Sequence, residues 1–315
     1  MRAAVLIAGL ALAGLSAVAR AAGDEEGASY QGVRPEAMLS RDAEGNDVRK
    51  LSLGWDFWRT DLEHWAGLQV EDAHFSGPGW SHGEQRAYVR GAGTFGAAPV
   101  TDDTWRWQAR AGSNGHALLG SASVHTEGPS RLEAFFERDL VETQAGIRRG
   151  QVYDFAAAAI DHAFTERFSG TLLAGAQDFE DGNLRGHLRG NLVYALLPEQ
   201  GVSVQLRERY FHNDKPRAGD YYSPRQYEQT LGVLALRRVI GGNTWRAVAG
   251  YGRQRAAGES SKRARLLELS YESPRWRRSH LKIIAGYTDT PTVTSAGGAG
   301  NYNYRYLMLE WVIPF

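Results

Sequence analysis

Arginine recurs at positions of one parity in two neighbouring segments, Arg185 and Arg189 in the first and Arg207 and Arg209 in the second, and Arg246 and Lys282 follow later. A guanidinium is a planar fork that pairs bidentately with carboxylate or phosphate, so such a row suits many shallow contacts with a passing anion. Asp56, Asp154, Glu268 and Glu310 share the polar parity of their own segments. The same residues could equally cross-link a wall of strands through ion pairs. Either use requires extended chain, because only there do alternate side chains share a face.

Other chemistries are weaker. His162, His187 and His212 lie on or beside expected strands, and Ser223 shares an expected loop with His212. No motif sets a nucleophile beside a base, so no catalysis is expected, with a lipid-modifying enzyme kept as the distant alternative. Asp178 to Asn183 lacks the alternating oxygen ligands of a calcium loop and reads first as a turn at Asp181, Gly182 and Asn183. Gly297, Gly298 and Gly300 precede no helix that would hold a phosphate. With no Cys there are no disulfides or thiol metal sites, and neither metal nor cofactor is expected. Basic and acidic residues balance at 36 each, which gives no electrostatic case for nucleic acid.

The elements that would position these groups show in the apolar pattern. Leu184, Leu188, Leu192, Tyr194 and Leu196 alternate with Arg185, His187, Arg189 and Asn191; Val202, Val204, Leu206 and Tyr210 alternate with Ser203, Gln205, Arg207 and Arg209, with Glu208 a misfit placed near a rim. Trp245 to Tyr251, Leu281 to Tyr287 and Leu51 to Phe57 repeat the pattern. Beyond residue 22 no apolar run is long enough for a membrane helix. Leu307, Leu309, Trp311, Ile313 and Phe315 form an alternating strand with an aromatic end. At the other end, Met1 and Arg2 precede the apolar run Ala3 to Val18 and small residues to Ala22, the pattern of a signal peptide.

The expectation is therefore an all-β, transmembrane antiparallel barrel of the Gram-negative outer membrane. Its divisions are a signal peptide (1–22), a periplasmic tail or lumen insert (23–48) and the barrel itself (49–315), built of about 16 strands. Counting back from the C-terminal strand puts 178–183, 212–224, 252–262 and 288–302 on the outer side, with shorter connections inside. It also sorts Tyr210, Tyr251 and Tyr287 to an outer aromatic belt and Tyr194, Trp245, Tyr271 and Phe315 to an inner one. Val141 to Arg149 has the spacing of a loop helix. The polar parity is then a lumen that leans basic.

Glu137 to Thr143 (ERDLVET), the Asp181–Gly182–Asn183 turn followed by Arg185, and Asp220–Tyr221–Tyr222–Ser223–Pro224 with Tyr227 resemble the C-terminal barrel of exopolysaccharide export porins, the pores for poly-N-acetylglucosamine and cellulose. The resemblance runs from about residue 130 to the end. It implies a passive conduit for an exopolysaccharide. On their outer loop Tyr221 and Tyr222 would either stack on sugar rings at the exit or pack the loop or the interface belt, in a monomeric barrel surrounded by outer-membrane lipid and lipopolysaccharide. Those porins carry periplasmic helical repeats, and residues 23–48 cannot hold one repeat pair. A separate polymer-delivery or copolymerase component would stand in for them. A basic lumen favours an anionic polymer; a general or anion-selective diffusion porin is the alternative, which predicts an inward loop and opposed acidic and basic clusters.

Overall fold

A computed structural model describes residues 29–95, 101–274, 278–291 and 302–315. The expected signal peptide and the Gly297 to Gly300 tip lie outside the described residues. Sixteen strands make up most of what is described. They are β1 (Tyr30–Asp42), β2 (Asp47–Arg59), β3 (Trp65–Gly77), β4 (Trp80–Thr94), β5 (Arg106–Ser113), β6 (Leu118–His125), β7 (Ser130–Leu140) and β8 (Val152–Ala163). The second half holds β9 (Phe168–Phe179), β10 (Leu184–Leu197), β11 (Val202–Asn213), β12 (Gln226–Ile240), β13 (Asn243–Ala256), β14 (Lys262–Glu272), β15 (His280–Thr288) and β16 (Tyr304–Pro314). Each pairs antiparallel with its sequence neighbours, and β1 pairs with β16, so the sheet closes into a barrel.

Alternation explains the two faces. In β10, Leu184, Leu188, Leu192 and Leu196 stand outward at 44–46 % exposure, while Arg185 and His187 are buried on the inner face. A ring of exposed leucines is stable where the surrounding solvent is lipid. Of the expected belts, Tyr210 and Tyr251 are exposed toward one rim and Tyr194 and Trp245 toward the other, where Trp311 joins them, while Tyr287, Tyr271 and Phe315 are half-buried. Glu208 also faces outward, where its carboxylate accepts from Thr230 Oγ1.

The stretch 23–48 is corrected by the structure. It contains β1 and the start of β2, so the barrel begins at Tyr30 and not at residue 49. The outward set of β1, Val33, Pro35, Ala37, Leu39 and Arg41, has Leu39 as its one bulky aliphatic exposed residue, and so the apolar rhythm is faint. Pro35 also lacks an N–H to give to a neighbour. The β1–β16 register accordingly runs through Gly32 and Val33 and resumes at Glu36.

Phe315 N–H donates to Gln31 O at 2.9 Å, which puts the start of β1 and the end of β16 at one rim, here the terminal rim. The opposite, distal rim carries the long connections 141–151 and 214–225, and β15 ends and β16 begins there; on the terminal side β4 ends at Thr94 and β5 begins at Arg106, a long separation in sequence against the trend. Connection 141–151 holds the helix α1 (Gln144–Arg149) that the spacing predicts. Thr143 Oγ1 accepts from Gly146 N–H at its start, and Gly150 ends it at φ 65°, a left-handed conformation natural to glycine.

Candidate functional site

The barrel interior is the candidate site, and its residues fall into two walls. On the wall from β10 to β13, Arg185, Arg189, Arg207, Arg209 and Arg246 all point inward, as their parity predicts. Arg185 is not a free cation. Its guanidinium lies 4.9 Å from the Phe179 ring and 4.8 Å from the Phe211 ring. Tyr221 stacks on Phe179 at 4.2 Å and lies 5.8 Å from Arg185, Tyr227 stacks on Phe211 at 4.8 Å, and Arg209 flanks that second pair at 5.7 and 5.8 Å. The result is a cluster of two stacked ring pairs flanked by two cations. Arg185 Nε donates to Asn213 Oδ1, and Nη2 donates to Tyr222 O.

The other predicted cations differ in their freedom. Arg189 is exposed inside the barrel and makes no hydrogen bond or ion pair among the described residues. Arg207 is half-buried and donates twice to Gln205 Oε1. Arg246 lies 3.7 Å from Glu268, whose other oxygen accepts from Tyr306 OH. Lys282 sits 3.5 Å from Glu272 and beside Glu310 in register, and Glu310 pairs with Arg34.

The wall from β1 to β7 holds Asp56, whose inward direction its parity predicts, among charges that the apolar rhythm did not single out. Near the terminal rim, Asp56 is fully buried and accepts from Arg34, Arg59 and Arg90. The same three guanidinium groups surround the Trp65 ring at 4.1, 5.4 and 5.3 Å. Nearer the distal rim, Arg86 pairs with Glu71, Glu84 and Asp139, and Lys50 joins Asp139 to Glu142. Arg86 and Asp139 lie on β4 and β7, which do not pair with each other; β5 and β6 between them have 8 residues each, so the taller strands meet above them. The alternate positions Arg86, Tyr88 and Arg90 carried this signal in the sequence.

Against the β1–β7 wall and the adjoining β15 and β16 lies a cavity of 560 Å³, lined among others by Glu36, Gln69, Arg110, Ser121, Glu137 and Lys282. An interior so wide is not filled by side chains alone.

Two connections fold inward over the distal mouth. Ile147 of α1 packs with Val48, Phe75, Leu119 and Leu140 inside the rim. In connection 214–225 Tyr221 is 3 % exposed, so it packs the loop and is not the open sugar platform expected of it. Tyr222 is half-buried, edge-on to Phe211 and Tyr227. Burial pushes the Tyr221 phenol above its usual pKa; Asn183, donating to it, pulls the other way and is outweighed together with Arg185. The two connections are tied through Asp220, whose carboxylate accepts from Thr143 Oγ1 and from Ala145 N–H.

Asp154 is the residue misplaced from sequence. It faces outward near the distal rim and pairs with Arg138 at 2.5 Å. The run Ala156 to Ala159 gives β8 no contrast between its faces, so its parity could not be read. The candidate catalytic groups are not assembled. His212 faces outward toward Asp214, His187 is buried among Phe155, Phe211 and Gln177, and Ser223 donates to Tyr221 O. Ser130 Oγ lies 2.7 Å from His162 Nδ1 on the outward face, without a carboxylate hydrogen-bonded to that ring among the described residues.

No family model matches the chain, and no curated protein does. Among solved structures, one described as a bacterial polysaccharide outer membrane secretin aligns with a TM-score of 0.62 at 13 % identity, over 91 % of this chain and 98 % of that one. OccAB1 of Acinetobacter baumannii aligns at 0.46 and 9 % identity, over 93 % of this chain and all (100 %) of its own. OccK3 of Pseudomonas aeruginosa aligns at 0.43 and 11 %, over 91 % of this chain and 96 % of its own. The first shows the fold to be that of outer-membrane barrels.

Proposed function

We propose that this chain is an outer-membrane conduit that carries an exopolysaccharide to the cell surface, with no chemistry performed on the polymer. The observation that carries the reading is the lumen wall. Hydroxyls, amides, carboxylates and guanidinium groups alternate around an open cavity, and most cations stand beside carboxylates. A hydroxyl-rich polymer would meet many partners there and no deep trap, which favours sliding. The alignment with the polysaccharide secretin over nearly the whole of both chains supports the same reading.

In this reading the distal rim faces the exterior, and the inward connections are a cover that the polymer displaces. Arg189 and Arg207 would hold acidic sugars in passing, so the polymer is proposed to be anionic. Cleavage of 1–22, a monomeric barrel and a periplasmic delivery component complete the proposal. A diffusion porin is the second reading; the inward connection 214–225 favours it, together with a basic β10–β13 wall set against the carboxylate-bearing β1–β7 wall. Deletion of the gene in its native host decides between them. Loss of one surface polysaccharide with normal nutrient uptake supports export and names the polymer, whereas intact polysaccharide with slowed uptake transfers the assignment to the porin.

A further inference from the structure

The lipid-facing surface near the distal rim carries a charged patch that transport does not use. Arg253 and Arg255 on β13 and Arg263 and Arg265 on β14 all point outward and are exposed. Two of the four are neutralised, Arg255 by Glu228 at 2.6 Å and Arg265 by Asp289 at 2.8 Å. Arg253 and Arg263 stand directly opposite each other in the ladder, and their guanidinium groups make no hydrogen bond or ion pair among the described residues. The nearest acid along that row, Glu208, is two strands from Arg253 and is bonded to Thr230. Like charges directly opposite on adjacent strands repel, and the repulsion is relieved when one anion bridges both.

The surroundings indicate which anion. Tyr251 and Tyr210 mark the belt at this height, so the four guanidinium groups lie at the level of lipid headgroups. Directly below, Gly232 pairs with Tyr251, and a Cβ placed at Gly232 would meet nothing nearer than 3.8 Å. Val204, Leu234, Ala249 and Tyr251 wall the depression of 460 Å³ that this leaves. It lies one outward position, roughly 7 Å along the strand, below Arg253.

We propose that this face of β12 to β14 binds a phosphorylated, multiply acylated glycolipid of the outer leaflet. A phosphate would bridge Arg253 and Arg263, and an acyl chain would lie in the depression at Gly232. Guanidinium groups suit phosphate through paired N–H donors, and basic pockets on membrane proteins gather anionic headgroups in this way. The proposal rests on the barrel spanning the outer membrane with its distal rim outward, and not on what crosses the lumen.

The test is titration of the detergent-solubilised barrel with diphosphoryl lipid A, followed by native mass spectrometry. The expected result is specific binding that weakens at least about tenfold in R253Q/R263Q, the loss that follows removal of charge-assisted hydrogen bonds. R238Q removes an outward cation at the other rim and should leave binding unchanged, while R253K/R263K, which keeps the charge but not the paired donors, should fall between the parent chain and R253Q/R263Q. Heat-modifiable gel mobility confirms that every variant is folded, and loss of membrane insertion in the parent chain would instead strike at the outer-membrane reading. Equal binding of dephosphorylated lipid A, or unchanged binding by R253Q/R263Q, overturns the proposal. Displacement by millimolar inorganic phosphate alone would reduce the site to an anion site and overturn the lipid assignment.

Discussion

At the scale of single residues, the interior separates charges that hold the barrel from charges that can meet a solute. Asp56 belongs to the first group, since it is fully buried and answers three guanidinium groups. Asp56→Ala should lower the unfolding free energy by about 3 kcal/mol, the low end for an uncompensated buried ion, because Arg34 and Arg90 keep Glu310 and Glu36. A urea titration followed by gel mobility measures it, and an unchanged midpoint would remove Asp56 from the account of stability. Arg189 and Arg207 belong to the second group. Arg189→Glu with Arg207→Glu should slow the passage of dextran sulfate through barrels in liposomes and leave neutral dextran unaffected. Equal slowing of both would show that the cations act through shape and not charge. Of the basic ladder legible in the sequence, the inward direction was recoverable from parity alone. What each guanidinium touches was not, because Phe179, Tyr221 and Tyr227 reach Arg185 and Arg209 from other strands and from a connection.

At the scale of elements, the two connections over the distal mouth are tied to each other through Asp220. Asp220→Ala removes the tie to Thr143 and Ala145. Single-channel recording should then show more frequent or larger openings than in the parent chain; identical traces would mean that Ile147 and Tyr221 hold the cover without that carboxylate. On the terminal side, the turn 60–64 is organised by Asp61. Burial works to raise its carboxyl pKa, but the N–H groups of Glu63 and His64 and the His64 ring outweigh it, leaving the group below its usual value. A depressed carboxyl contributes stability above its unfolded pKa, and that contribution fades as pH falls through the folded value. Asp61→Asn should therefore flatten the loss of stability below about pH 4, measured as urea midpoints across an acid series. A slope identical to that of the parent chain would count against the turn's role. Strands with bulky outward residues, such as β10, could be read from sequence, and so could α1. β1 and β8 could not, since Pro35, Ala37 and the run Ala156 to Ala159 give their outward faces little apolar contrast.

At the scale of the whole molecule, closure is what the strand count secures. Residues 29–46 include β1, which bonds both β2 and β16. Deleting them should abolish the heat-resistant folded form, since β2 and β16 would be left with unpaired edges in lipid. If that segment were a dispensable tail, the shortened chain would fold normally. The barrel class was legible because the weak alternating signals of β2, β10, β11, β13, β15 and β16 reinforce one another, together with aromatic belts at both rims. The cover over the distal mouth was not, because inward folding of a connection depends on partners far apart in the chain, as Asp220 and Thr143 are.

The 2.9 Å hydrogen bond from Phe315 N–H to Gln31 O brings the first and last strands together at one rim. A sheet joined in this way is a ring on which no strand is privileged. The chain could in principle be linked from Phe315 to Gln31 and cut instead at the short turn between Ile240 and Asn243, and the circular permutant would make the same ladder of bonds. What would change is the sequence of events, since β12 would then enter the membrane as the closing strand. The barrel thus separates the product of folding, which the ring of pairings determines, from its itinerary, which the position of the cut determines.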